Sequence, residues 1–177
     1  MDVKNHINFI RVSVNELQKT KEFRRLAVIF LATVLEKQIK NVVIYNYRKS
    51  GLSASFVRGH LLRGTGYMEL LQELDWAARF KSDKKLKQIW KESNPPISDL
   101  FGIMKIRNRI IHANGGVSEP QVDLCISNLI AVIEKLSEIF VREFNYCGLG
   151  PLPKMFKFNE LYLNSTLLHK SISRNDV

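Results

Sequence analysis

The sequence has few cysteines, no long apolar run and no start that resembles a leader peptide. Its two cysteines, Cys125 and Cys147, lie far apart, so neither a disulfide framework nor a metal-ligand pair is indicated, and a reducing compartment is favoured. The longest apolar run, residues 26–35, is much shorter than the roughly 20 residues that a membrane span needs. Residues 1–6 lack the basic and apolar regions of a secretion signal. We therefore expect a cytoplasmic protein that does not enter a membrane.

Acidic residues are also scarce relative to basic ones. The 177 residues include 27 Lys and Arg against 17 Asp and Glu, a formal net charge of +10. A field of this sign attracts polyanions, so RNA, DNA, an acidic lipid surface and an acidic protein all remain possible partners. The alternative is that the excess charge only keeps the protein in solution. With 45% hydrophobic residues, the chain is long enough to bury one core of its own.

The first half of the chain has the apolar spacing of helices. Apolar residues recur at intervals of three and four over 5–19 and again over 22–49, which predicts two helices. The second is apolar around much of its circumference, so we expect it at the centre of the fold and ending at Ser50 and Gly51. Over 53–80 the pattern predicts shorter helices broken by three glycines, Gly59, Gly64 and Gly66.

The second half predicts further helices and a tail. A helix over 81–93 would carry five lysines on an outer face that is either simply solvated or in contact with phosphates. A second helix over 97–113 follows the Pro95–Pro96 break, and a third, capped by Ser118, reaches about Tyr146. We predict an all-α, up-and-down helical bundle over residues 1–148, with a C-terminal tail, 149–177, that packs on the bundle or on a partner subunit.

The helix predicted over 97–113 carries the main candidate site. At 100° per residue three isoleucines define its buried face, namely Ile103, Ile106 and Ile110. Asn108 and His112 lie on the opposite side, with Arg107 at its edge. Phe101 lies in the middle of that polar side, where an aromatic side chain is unfavourable in a monomer but natural if the surface meets a second copy of the chain.

The stretch Arg107-Asn108-Arg109-Ile110-Ile111-His112 resembles the catalytic motif of the HEPN superfamily, in which Arg, commonly followed by Asn, precedes a His with four residues between Arg and His. HEPN domains are small helical bundles, with the motif on a late helix and a long helix after it. Residues 34–39 are similar to the first long helix of several bacterial HEPN families, and Glu36 would be the acidic residue that faces the motif. The resemblance covers residues 5–148.

The resemblance implies RNA cleavage without a metal or another cofactor. A ribose 2′-hydroxyl attacks the adjacent phosphate and leaves a 2′,3′-cyclic phosphate and a 5′-hydroxyl. His112 would transfer protons, since imidazole titrates near neutrality. Arg107 would stabilise the negative charge that develops on the phosphate, and Asn108 would orient the phosphate or the imidazole. Lys105 and Arg109 would bind flanking phosphates.

The resemblance also implies partners. HEPN proteins usually place two motifs face to face across a two-fold axis, so we expect a homodimer with Phe101 at the interface. The implied role is a toxin or an antiviral-defence effector, restrained by an antitoxin or another defence protein. In HEPN toxins paired with nucleotidyltransferase antitoxins, a Tyr follows the His after one residue. Here Ala113 and Asn114 follow instead, which argues against that mode of restraint but not against cleavage.

Two other hypotheses stay open. The chain could be a non-catalytic HEPN-like module that binds RNA, a nucleotide or an acidic protein, with Arg107 and His112 in structural roles. It could also be a plain helical interaction domain. The remaining histidines, His6, His60 and His169, have no ligand partners at useful spacing, so we expect structural roles for them.

Overall fold

The computed structural model describes residues 3–61, 67–78, 80–92, 108–110 and 117–152. Within these ranges the regular structure is helical and no strand occurs, which confirms the all-α prediction. The helices are α1 (Val3–Gln18), α2 (Arg24–Lys49), α3 (Ala54–Leu61), α4 (Tyr67–Ala77), α5 (Leu86–Glu92) and α6 (Glu119–Phe144). A 3₁₀ turn, Lys21–Phe23, leads into α2, and residues 108–110 are helical.

Helix α2 is the centre of the fold, as its apolar pattern predicted. It packs against α1, α3, α4 and α6, and α6 is its most extensive partner. Fully buried side chains of both helices fill this core. They are Val28, Leu31, Leu35, Ile39, Val42 and Val43 on α2, and Val122, Leu129, Val132, Leu136 and Phe140 on α6. A helix surrounded on several sides must be apolar around most of its circumference, which is the pattern that this stretch of sequence has.

The ends of the two long helices have local causes. The amide of Ser50 donates to the carbonyl of Asn46, and Gly51 takes the left-handed φ of +86° that turns the chain away from α2. At the start of α6 the amide of Ser118 donates to Oε1 of Gln121 at 3.0 Å, one half of a capping box. Helix α6 ends at Phe144, two residues before the predicted end, because Asn145 adopts φ +59°.

Two predicted helix boundaries were wrong. Gly59 lies inside α3 and does not break it; there is open space around its Cα. The helix predicted over 81–93 is only α5, because Asp83 at φ +53° closes a turn before it. The chain can begin α5 at Leu86 because the carboxylate of Asp75, at the end of α4, accepts the Leu86 amide hydrogen at 2.8 Å.

Some predictions fall on other parts of the chain. Residues 111–116, 93–107 and 153–177 lie outside the described residues, so most of the predicted 97–113 helix and nearly all of the predicted tail do too. No described helix is both long and apolar enough to cross a lipid bilayer. Residues 149–152, the described start of the predicted tail, pack on the bundle, with Leu149 and Leu152 against the hydrophobic core.

Candidate functional site

The predicted catalytic motif is described at its centre. Asn108, Arg109 and Ile110 lie in a helical stretch, whereas Arg107 and His112 lie outside the described residues. The predicted phosphate-binding Lys105 and interface residue Phe101 lie outside them as well. The geometry of the motif can therefore be followed through residues 108–110 alone.

Those three residues divide between the core and the surface. Ile110 is 3% exposed and belongs to the hydrophobic core, as expected for the apolar face of the 97–113 helix. Asn108 and Arg109 are exposed. Because successive helical residues are 100° apart, burial of Ile110 turns the preceding two residues towards the outside of the bundle. The described part of the motif thus presents an amide and a guanidinium at the surface.

Glu36, the predicted acidic partner of the motif, lies in the middle of α2. It is half-buried, between the fully buried Leu35 and the exposed Lys37. It forms no ion pair with any residue of the described ranges. Its predicted neighbours, Arg107 and His112, are outside those ranges, so its role beside the motif stays a prediction.

A fully buried polar side chain fixes α2 to α6 and to the segment after α6. The Nε2 group of Gln38 donates to Oγ of Ser137 at 2.8 Å, to the carbonyl of Cys147 at 3.1 Å and to that of Ile133 at 3.2 Å. Gly148, with φ +79°, lies directly against this helix turn, and its carbonyl accepts from Nδ2 of Asn41 at 2.8 Å. These hydrogen bonds join α2 to α6 and to the segment that follows α6. Because Gln38 is fully buried in the core, we interpret its role as structural.

A second polar cluster joins α2, α3 and α4. The hydroxyl of Tyr47 donates to the Glu73 carboxylate, and Nε2 of His60 lies 3.0 Å from the other oxygen of that carboxylate. Burial, assisted by the hydrogen bond and the charge of Glu73, raises the pKa of Tyr47 well above its usual value. The ring of His60 also stacks on Phe56, with centroids 5.9 Å apart. His60 is thus not isolated in the fold: the cluster ties three helices together, in keeping with a structural role.

Sequence spacing could not reveal this cluster, because its members come from separate helices.

The sequence analysis also predicted no metal site at the histidines. Among residues 3–61, 67–78, 80–92, 108–110 and 117–152, no group of three or more His, Cys, Asp or Glu side chains is arranged to hold a metal ion.

An open cavity of about 490 Å³ lies where the turn before α5 meets the end of α6. Its walls are Lys81, Ser82, Lys84, Ile89, Glu92, Arg142 and Glu143. Several of the charges are already engaged: Lys84 pairs with Glu92 at 2.7 Å, and Nε of Arg142 lies 3.1 Å from Glu143. The cavity itself therefore has little uncompensated charge. The exposed lysines around it are better candidates for binding an anion than its interior is.

The lysines of this region form a basic surface. Five of them, Lys81, Lys84, Lys85, Lys87 and Lys91, are all exposed. Only Asp83 and Glu92 oppose them within the segment 81–92, which leaves a formal charge of +3. Sequence analysis identified these lysines but could not decide whether they are more than a solvated face.

No protein-family model, no curated protein and no solved structure matches this chain.

Proposed function

We propose that this protein is an endoribonuclease of the HEPN type that cleaves RNA without a metal ion. The observation that carries the proposal is the motif Arg107-Asn108-Arg109-Ile110-Ile111-His112, whose central residues have Ile110 in the core and Asn108 and Arg109 at the surface. The all-α architecture and the net charge of +10 support it, since the substrate is a polyanion.

In the proposed reaction the 2′-oxygen of a ribose attacks the adjacent phosphorus as its proton passes to an imidazole. The bond from phosphorus to the 5′-oxygen breaks, and a second proton donor protonates that leaving oxygen. His112 of each subunit in a homodimer would supply one of these two functions, with Phe101 at the interface between subunits. Arg107 would neutralise the charge on the phosphorane-like transition state, and Asn108 would orient the phosphate.

Cleavage of single-stranded RNA in excess EDTA tests this reaction. The wild-type chain should cut the RNA, and the His112→Ala and Arg107→Ala variants should lose about 100-fold or more of the rate. His6→Ala, on α1, is the matched control and should retain full activity. A contaminating nuclease would cut equally in all four preparations, and that result would refute the proposal.

The products test the mechanism separately. Attack by the 2′-oxygen predicts fragments with a 5′-hydroxyl, which polynucleotide kinase labels without prior dephosphorylation. A single 2′-deoxy nucleotide at the cleaved position should abolish cutting there and leave other positions unaffected. If the deoxy position is cut as fast as the ribose position, water and not the 2′-hydroxyl is the nucleophile.

For the biological role we propose a toxin or antiviral-defence effector held in check by an antitoxin or another defence protein. Induced expression of the wild-type chain should arrest growth of a bacterial host, and expression of His112→Ala at the same level should not. Equal growth with both would contradict the proposed toxin role. It would leave the proposed RNA cleavage standing, because cleavage in vitro does not depend on toxicity.

The second candidate function is a non-catalytic RNA-binding module. The lysine-rich segment 81–92 favours it, because these charges lie outside the motif and need no catalysis to bind a polyanion. Under this alternative no RNA is cut under any condition, and His112→Ala binds RNA as tightly as the wild type.

A further inference from the structure

The largest exposed aromatic side chain of the described residues lies beside the lysine-rich segment. Trp76, near the end of α4, is 88% exposed. The neighbouring residue, Asp75, bonds through its carboxylate to the amide of Leu86, the first residue of α5. Trp76 is therefore next in sequence to the residue that contacts the start of α5; Lys85 directly precedes that helix, and Lys87 and Lys91 lie on it. An indole that is almost wholly exposed offers its flat aromatic face to a ligand.

The segment that bears the lysines is firmly mounted. The ring of Phe80 packs on Phe144 with 5.0 Å between centroids, and Phe80 is itself buried. The buried carboxylate of Glu143 accepts from the amide of Ser82 at 3.2 Å. Nζ of Lys81 donates to the carbonyl of Arg142 at 3.0 Å, which covers one of the free carbonyls at the end of α6. A charged surface held in this way loses little conformational freedom when it binds.

The lysines differ in how far their charge is available. Lys84 is occupied by Glu92, with its Nζ 2.7 and 2.9 Å from the two carboxylate oxygens. The ammonium groups of Lys85 and Lys91 are exposed, and neither bonds to any residue of the described ranges. Those two ammonium groups can bind an external anion without first breaking an internal pair.

We propose that Trp76, Lys85 and Lys91 form a docking surface for single-stranded RNA. The indole of Trp76 stacks on an unpaired base, and Lys85 and Lys91 bind phosphates of the same strand. This combination of an aromatic platform with a basic track is what a single strand needs, because its bases expose their faces and its backbone is a string of anions. An acidic protein could form ion pairs with the lysines, but it has no nucleobase to stack on the indole.

This docking surface is separate from the proposed catalytic motif, and it rests on the proposed function only in the choice of RNA as the polymer. Its role is to hold a stretch of substrate away from the scissile bond. Such a contact raises the affinity for long RNA more than for very short RNA, since only the long strand reaches both places.

Binding is measured with a fluorescein-labelled single-stranded RNA 20-mer in EDTA, with the full chain carrying His112→Ala so that the RNA stays intact. Trp76→Ala should weaken binding about tenfold or more, as expected for the loss of one stacked base, while Trp76→Phe should retain most of the affinity. Phe9→Ala, which removes an aromatic side chain that is 68% exposed on α1, is the matched control and should not change affinity. Equal affinity of the His112→Ala parent with and without Trp76→Ala would overturn the proposal.

The lysines are tested through salt dependence. Replacing Lys85 and Lys91 with Gln should lower the slope of log affinity against log salt by about 1.4, since each phosphate contact on a single strand contributes about 0.7. The control double variant, Lys21→Gln with Lys37→Gln, has the same net charge and exposed positions elsewhere, and its slope should be unchanged. Equal slopes in the two double variants would mean that the overall field and not this surface binds the RNA.

Tryptophan fluorescence reports the stacking directly. The chain has two tryptophans, and the other one, Trp90, is only 7% exposed, so quenching by RNA should come from Trp76 and vanish in Trp76→Phe. Single-stranded DNA should quench as well, because the surface contacts bases and phosphates and not the 2′-hydroxyl. Duplex RNA that binds as tightly as the single strand without quenching would refute the assignment. These readouts hold whether or not the wild-type chain cleaves RNA, so the two proposals can fail independently.

Discussion

The backbone carbonyl of Gln38 lies directly against the Cα of Gly148, so closely that no larger residue fits at position 148 without moving α2. A Cβ there would also lie 2.8 Å from Cγ2 of Val42. Gly148 adopts φ +79°, a conformation that other residues seldom take. The contact joins the middle of α2 to the segment that follows α6.

Gly148→Ala should therefore destabilise the fold by about 3 kcal/mol, from the steric overlap and the left-handed backbone together. Gly51→Ala is the matched control, because Gly51 has a similar φ of +86° but open space around it, and it should cost only about 1 kcal/mol. Chemical denaturation of both variants gives the two values. Equal losses would mean that backbone strain alone matters.

Gly59→Ala should change stability in the opposite direction. Gly59 lies within α3 with nothing near its Cα, and alanine is about 0.5–1 kcal/mol more favourable than glycine inside a helix. A rise in the midpoint of urea denaturation with an unchanged slope would agree with this. A destabilised variant would show that α3 is not helical at this position.

Gln38→Glu should be strongly destabilising and pH-dependent. A carboxylate in this fully buried position would face the carbonyls of Ile133 and Cys147, at a cost of about 3 kcal/mol or more at pH 8. The folded chain would hold the carboxyl proton more tightly than the unfolded chain, so the deficit should shrink as the pH falls towards 4. Asn41→Asp, at a half-buried position on the same helix, should lose less. A pH-independent deficit in Gln38→Glu would contradict burial of its side chain.

Alkaline conditions should unfold the protein partly through Tyr47. Its pKa is raised in the fold by burial and by Glu73, while an unfolded tyrosine ionises near pH 10. Unfolding above that pH thus releases a proton, and stability falls with rising pH by about 1.4 kcal/mol per pH unit for such a group. Tyr47→Phe should remove this part of the slope between pH 10 and 11. An unchanged slope would mean that the Tyr47 hydroxyl ionises normally.

Cys125 should be protected from thiol reagents in the native protein. Its side chain is 1% exposed, and burial raises the pKa of the thiol to about 11. In a Cys147→Ser background, labelling at pH 8 should be about 1000-fold slower than in denaturant, because it requires opening of the core. Rapid labelling without denaturant would place Cys125 at the surface.

The two arginines of the proposed catalytic motif should affect kinetics differently. Arg107→Ala should lower kcat by about 100-fold or more, because in the proposed reaction the guanidinium would act on the transition state. Arg109→Ala should mainly raise KM, as expected for a contact with a flanking phosphate that is equally strong before and during the reaction. A kcat loss in Arg109→Ala equal to that in Arg107→Ala would contradict these separate roles.

Local signals in the sequence predicted the long helices well. The C-terminal end of α2 and the start of α6 follow from residues next to them, Gly51 and Ser118 with Gln121, so the local sequence is sufficient to predict them. The start of α5 was predicted wrongly for two reasons. The left-handed turn at Asp83 contains no glycine that would indicate it, and the carboxylate that caps Leu86 belongs to Asp75, eleven residues before Leu86.

The polar clusters could not be predicted for a related reason. His60 and Glu73 are thirteen residues apart, and Gln38 meets acceptors 95 to 109 residues away. Periodicity specifies which face of a helix is buried but not which helix lies opposite, so it gives no sign of these pairs. The proposed catalytic motif could be named from the sequence because its residues lie within six consecutive positions, where helical spacing alone predicts their directions.

The distance along the chain between the two main core helices has a consequence for synthesis. Gln38 on α2 bonds to Ile133 on α6, 95 residues later, so a ribosome that adds roughly 5–20 residues per second completes the second partner some 5–20 s after the first. Throughout that interval the side of α2 that α6 covers in the folded protein lacks this partner. We expect the nascent chain to expose this side of α2 to chaperones that bind apolar helices, and to complete the packing of α2 on α6 only after translation has passed α6.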